Sequence, residues 1–79
     1  MSKFTLYYKP TCPYSQKVLR YMESNNIVVP LKNINESSEI REELIVTGGK
    51  KQVPCLVIDG EALYESDDII EWFQSNWKE

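Results

Sequence analysis

Proline has no backbone N–H to give to a sheet, so a proline inside a strand-forming run confines that strand to an edge. The run Ile27-Val28-Val29-Pro30-Leu31 contains one, and it constrains the rest of the fold. Phe4, Leu6 and Tyr8 alternate with Thr5 and Tyr7, so Lys3–Tyr8 reads as a strand that is apolar or aromatic on both faces. Such a strand suits the interior of a sheet. Cys55-Leu56-Val57-Ile58 is short and wholly apolar, and is expected inside as well. Asp59-Gly60 then turns the chain back into Glu61–Tyr64 as a hairpin.

Helical segments separate these strands. After Lys9-Pro10-Thr11-Cys12, Pro13 sits at the favoured first position of a helix. Val18, Leu19 and Met22 repeat at helical spacing up to Asn25-Asn26. Asn35 to Ser38 offers N-caps for a second helix, with Glu39 in its first turn and an apolar stripe of Ile40, Leu44 and Ile45. Gly48-Gly49 is expected to end it. Ser66 reads as the N-cap of a third helix, followed by Asp67 and Asp68 at the positive end of the dipole. Ile69, Ile70, Phe73 and Trp77 mark its inward face. A strand-helix-strand opening makes a parallel pair, and the closing hairpin adds antiparallel strands. With strand two at an edge and strands one and three inside, the order 2-1-3-4 follows. The expectation is an α/β chain with a four-stranded mixed sheet and three helices, an arrangement that resembles the thioredoxin fold, as a single domain over residues 1–79.

Charge and residue usage narrow the chemistry. Nine Lys and Arg against twelve Asp and Glu give a net charge of -3, which argues against a nucleic-acid partner. No apolar run is long enough to span a bilayer, and Met1-Ser2-Lys3 opens with no signal-peptide pattern. A soluble, cytoplasmic chain with no membrane partner is expected. The chain has no histidine, which removes the commonest general base and the usual zinc sites together. Two cysteines, Cys12 and Cys55, are too few for a disulfide scaffold or a self-contained zinc site. No metal site is assigned. Thiols, carboxylates and amines remain.

Of the two thiols, Cys12 is placed for reaction. In Cys12-Pro13-Tyr14-Ser15 it faces the unpaired N–H groups and positive dipole end of the first helix. Thiols so placed ionise at roughly 3.5 to 7.5. Lys9, three residues earlier, adds a positive charge. Cys55 lies in an apolar strand and reads as a small buried hydrophobe.

Lys9-Pro10-Thr11-Cys12-Pro13-Tyr14-Ser15, then Gln52-Val53-Pro54, then Tyr64-Glu65-Ser66-Asp67-Asp68 together resemble a glutaredoxin over essentially the whole chain. The resemblance implies a glutathione site. Cys12 would be the nucleophile, with Pro13, Tyr14 and Ser15 completing its loop and Tyr14 lining the thiol pocket. Lys9 and Arg41 would meet the glycine carboxylate of glutathione. Gln52 stands where the family usually has threonine. Val53 would pair its backbone with the cysteinyl part. Pro54 matches the family's cis proline, and Ser66 with Asp67 would receive the γ-glutamyl end. Two departures stand out. Ser15 occupies the place of a second cysteine in many glutaredoxins. Tyr64-Glu65 replaces two glycines, and Glu65-Ser66 looks instead like the glutathione-binding pair of glutathione transferase N-terminal domains.

The activity implied is glutathione-dependent thiol–disulfide exchange by a monothiol mechanism through Cys12, acting as a monomer on glutathionylated or disulfide-containing proteins. Its main rival is a glutathione-ligated [2Fe-2S] cluster carrier. It ranks second because Pro13 stands where dedicated carriers have glycine. Further alternatives are an N-terminal-type glutathione transferase domain and a non-catalytic glutathione-binding module.

Overall fold

The computed structural model describes residues 3–77. Met1 and Ser2, read above for a leader pattern, and the last two residues of the expected 1–79 domain lie outside that range. In chain order the elements are β1 (Phe4–Tyr8), α1 (Pro13–Ser24), β2 (Leu31–Asn33), α2 (Ser38–Gly48), β3 (Cys55–Ile58), β4 (Glu61–Tyr64) and α3 (Ser66–Asn76). The sheet order is β2-β1-β3-β4. β1 runs parallel to β2, with Leu6 opposite Leu31, and antiparallel to β3, with Leu6 opposite Leu56. β3 and β4 form the hairpin. The mixed thioredoxin-like sheet with three helices is the one expected.

The second strand is shorter than the sequence suggests. Ile27–Pro30 was expected to pair, yet regular pairing begins at Leu31. Pro30 explains this: without an N–H it can only accept, and its carbonyl takes the Leu6 N–H at 2.9 Å. The ladder then runs forward through Leu31, Lys32 and Asn33. Ile27 and Val29 are still buried, so the alternation survives in an extended connection rather than in the sheet.

Successive residues of β1 point to opposite faces, and each face has its own core. Leu6 packs with Val18, Met22, Ile27, Val29, Leu56, Ile69 and Phe73 beneath α1 and α3. Tyr7 packs with Ile34, Leu44 and Cys55 beneath α2. Both central strands are therefore covered on two sides, which is why they read as nearly continuous apolar runs. Trp77 lies just past the end of α3, and its N–H caps the Phe73 carbonyl. Its ring meets Phe4 and Phe73 edge-on at 5.4 and 5.7 Å.

α2 begins with Ser37, whose hydroxyl accepts the Ile40 N–H at 3.3 Å. The expected stripe of Ile40, Leu44 and Ile45 is only partly inward: Leu44 is fully buried, but Ile45 is 41% exposed. Leu44 and Gly48, one turn apart, face the sheet, and Ile45 lies about 100° away around the helix. The Tyr7 hydroxyl and the Lys32 ammonium both donate to the Glu43 carboxylate, fastening α2 across β1 and β2.

The two glycines at the end of α2 do different work. Gly49 adopts the left-handed conformation, φ 86°, and its N–H closes on the Ile45 carbonyl. Gly48 makes room. A Cβ there would overlap the Tyr64 hydroxyl, 2.9 Å from Cζ and 3.1 Å from the Ala62 Cβ. That hydroxyl in turn donates to the Lys50 carbonyl at 3.0 Å. Gly48→Ala should therefore destabilise the fold by about 1–3 kcal/mol, as overpacking does. The melting temperature should fall by several degrees. In thermal melts, Tyr64→Phe introduced into the Gly48→Ala background should recover part of the loss. An unchanged midpoint for Gly48→Ala would refute this packing account.

Candidate active site

The loop after β1 wraps Cys12 in backbone hydrogen bonds. The Lys9 carbonyl accepts the Cys12 N–H at 3.0 Å, and the Cys12 carbonyl accepts the Gln16 N–H at 3.0 Å. The Gln16 amide donates to the Pro10 carbonyl at 2.8 Å. Cys12 is the N-cap of α1 in an extended conformation, φ -85° and ψ 121°, with Pro13 following at the first helical position. Its thiol is partly exposed. Ser15, the third residue of the helix, is completely buried, and its hydroxyl accepts the Lys9 N–H at 3.2 Å.

These contacts set the two thiols apart. Partial burial alone would raise the Cys12 thiol. The Ser15 N–H and hydroxyl, the Tyr14 N–H and the nearby Lys9 charge outweigh it and hold the thiol below its ordinary value. Burial pushes Cys55 up to about 11, although the Tyr64 hydroxyl and the Leu63 backbone pull the other way. Of the two, Cys12 is the more readily ionised thiol, and Cys55 is a core residue that holds its proton.

A cavity of about 370 Å³ opens beside this helix end, lined by Tyr14, Gln52, Val53, Pro54, Glu65 and Ser66. The Val53–Pro54 peptide bond is cis. Five residues expected at a glutathione site thus meet on one cavity: Tyr14, Gln52, Val53, Pro54 and Ser66. Tyr14 is not part of the core; it is 65% exposed at the rim.

The start of α3 differs from the sequence reading. Ser66 is the first helical residue, and Glu65 occupies the N-cap without a side-chain cap bond. Ser66 itself is buried. Glu65 has φ 71° and ψ 122°, a conformation in which an ordinary side chain costs about 1–3 kcal/mol. Two contacts fix it. Its carbonyl accepts the Ile69 N–H at 3.0 Å, and its carboxylate accepts the Gln52 amide at 2.9 Å. The signal for Glu65 was present in the sequence as the Glu65-Ser66 pair, but not its bond to Gln52.

Cys12, Pro13 and Ser15 stand outside the cavity lining, and three residues expected at the glutathione site do not line it either. Lys9 is exposed on the loop before Cys12. Asp67 points to the surface and pairs with Lys17 of α1. Arg41 lies on α2, with its Nε buried and without a partner among the described residues.

A 2-1-3-4 sheet that presents one acidified cysteine from the end of its first strand places the molecule among the thioredoxin-fold thiol proteins. Residues 6–79 match the family described as glutathione S-transferase, N-terminal domain, and the chain belongs to it. The chain is 32% identical over 71 residues to an uncharacterized glutaredoxin-like 8.6 kDa protein in the rubredoxin operon of Clostridium pasteurianum. That match covers 84% of this chain and 95% of the relative. It is 29% identical over 69 residues to glutaredoxin 3 of Escherichia coli strain K12, covering 87% and 83%. These relatives place it with glutaredoxin-like thiol–disulfide oxidoreductases. Among solved structures, glutaredoxin C1 from Populus tremula x tremuloides superposes with a TM-score of 0.71 at 21% identity, over 92% of this chain and 75% of that one. A diazinon-metabolizing glutathione S-transferase of the silkworm Bombyx mori gives 0.79 at 19% identity, over 96% of this chain and 39% of the longer one. At these identities the two superpositions speak for the fold alone.

Proposed function

We propose that the protein reduces protein–glutathione mixed disulfides by a monothiol, glutathione-dependent route through Cys12. One observation carries the reading: the acidified thiol of Cys12 shares its helix turn with a hydroxyl, Ser15, and not with a second thiol. The Cys12 thiolate attacks the glutathione sulfur of the mixed disulfide. A Cys12–glutathione disulfide forms, and the protein leaves as a thiolate that takes a proton from water. The thiolate of a second glutathione then attacks the glutathione sulfur of the adduct. Oxidised glutathione departs and the Cys12 thiolate returns. A low thiol pKa serves both steps, as nucleophile and as leaving group.

Glutathione in this reading lies along the cavity. Its cysteinyl part pairs with the Val53 backbone, and Tyr14 covers it. Its γ-glutamyl carboxylate meets the N–H groups at the start of α3 by Ser66, and its ammonium meets Glu65, the Asp67 carboxylate being already paired with Lys17. Gln52 holds Glu65 in place. Lys9 and Arg41 supply positive charge for the glycine carboxylate. The protein acts as a cytoplasmic monomer on glutathionylated or disulfide-containing proteins.

The test is intact mass spectrometry after exposure to oxidised glutathione. A single adduct, heavier by one glutathione and mapped to Cys12, is the expected product. A Cys12–Cys55 disulfide or an unmodified chain would contradict the monothiol route. The Glu65-Ser66 pair and the family match favour a second reading, addition of glutathione to an electrophile. Conjugation by a chain that forms no Cys12 adduct would select it.

A further inference from the structure

We propose that Lys17 is a specificity-determining residue, which sets how the site weighs the two charges of a γ-glutamyl head group. Paired with Asp67 beside the cavity, it leaves the ligand's ammonium to Glu65 and removes one negative charge that the ligand's carboxylate would face. The proposal deepens the glutathione reading and rests on it for the identity of the ligand.

Residues 65–68 carry three carboxylates, and the fold gives each a different place. Glu65 lines the cavity, and its carboxylate accepts the Gln52 amide at 2.9 Å. Gln52 is neutral, so this contact leaves the charge of Glu65 in place. Asp68 lines a separate groove with Leu63, Glu71 and Trp72. Asp67 accepts from the ammonium of Lys17, which reaches across from α1. Lys17 stands one helical turn after Tyr14, on the same side of α1, and Asp67 directly follows Ser66. Tyr14 and Ser66 both line the cavity, so the ion pair sits at its border.

A γ-glutamyl head carries one carboxylate and one ammonium. The first N–H groups of α3 have no partner within the helix and attract the carboxylate. An uncompensated Asp67 in that first turn would oppose the carboxylate and draw the ammonium toward itself. Lys17 cancels both effects. The two side chains are 52% and 80% exposed, so salt screens them and each effect is worth a fewfold in affinity. For glutathione the two effects have opposite signs and largely offset. For a tripeptide that keeps the carboxylate and lacks the amine, only the repulsion remains. Freeing Asp67 therefore separates the two ligands more than it alters the binding of glutathione.

The experiment compares oxidised glutathione with the disulfide of glutaryl-cysteinyl-glycine, which lacks only the γ-glutamyl amine. Intact mass spectrometry gives the rate at which each modifies Cys12 at neutral pH and low ionic strength. The sulfur chemistry is the same in both, so the ratio of the two rates reports how the head group is read. The ratio should favour glutathione in the parent and rise about two- to fivefold in Lys17→Met. Lys17→Arg keeps the charge and should keep the parent's ratio. Adding Asp67→Asn to Lys17→Met should bring the ratio back to the parent's, and high salt should shrink the rise. An unchanged or lowered ratio in Lys17→Met overturns the proposal. So does a rise that persists with Asp67→Asn, which would assign the effect to the lost lysine alone. Cys12 adducts with an unmoved ratio would leave the glutathione reading standing without this proposal. Absence of any Cys12 adduct, in parent and variants alike, would overturn that reading and the proposal with it.

Discussion

Cys12→Ser should lose deglutathionylating activity by at least about a thousandfold, since it removes the thiol proposed to form the mixed disulfide. A coupled assay that follows glutathione turnover on a glutathionylated peptide measures this directly. Cys55→Ser is the informative companion. It places a hydroxyl in an apolar core at a fully buried position, at a cost of about 1–3 kcal/mol, and should lower the melting temperature while leaving the reaction in place. The pH profile carries a sign of its own. Because the Cys12 thiol is held below its ordinary value, the thiolate persists above that lowered midpoint and the rate falls only as the pH drops through it. A rate that climbed steadily through pH 8 to 9 would instead report an ordinary thiol. Loss of activity in Cys55→Ser with the fold intact would exchange the roles given to the two cysteines.

Ser15→Cys should change the chemical outcome of oxidation. A second thiol one helical turn from Cys12 can attack the adduct, form an intramolecular disulfide and expel glutathione. In oxidised glutathione the parent should stay heavier by one glutathione, whereas the variant should end two hydrogens lighter than its reduced form. The variant should also reduce protein disulfides that lack glutathione, a reaction open to a dithiol. The exchange brings a loss with it. Sulfur accepts hydrogen bonds weakly, so the Lys9 N–H would lose its good partner inside a buried site. Retention of the glutathione adduct by Ser15→Cys would show that the two side chains cannot meet.

Much of this architecture could be read from a few residues. Pro30 assigned an edge, and two apolar runs assigned the interior, so the strand order followed without any coordinates. Cys12-Pro13 located the reactive turn, because proline tolerates few places in a helix and the first is the best of them. What stayed hidden depended on contacts between distant parts of the chain. Gly48 reads as a helix stop, yet its lack of a side chain serves Tyr64, sixteen positions on. Asp67 reads as a ligand for an ammonium, yet the one it meets belongs to Lys17 on another helix. Glu65 at positive φ runs against its own conformational preference, and no local rule would place a glutamate there. The Gln52 amide that secures it comes from the loop before the cis proline.

The shortness of β2 bears on how copies of this molecule behave toward one another at high concentration. A four-stranded open sheet leaves unpaired backbone groups along its outer strands, and those rows are templates for stacking one chain on the next. Here the β2 row lasts only Leu31–Asn33. Pro30 interrupts it at one end, and the middle residue is a lysine whose charge is tied down by Glu43. An incoming strand would find too few consecutive donors and acceptors to build a ladder. The proline that sets the strand order thus also blunts the edge it creates, and crowding in a cell gains little hold there.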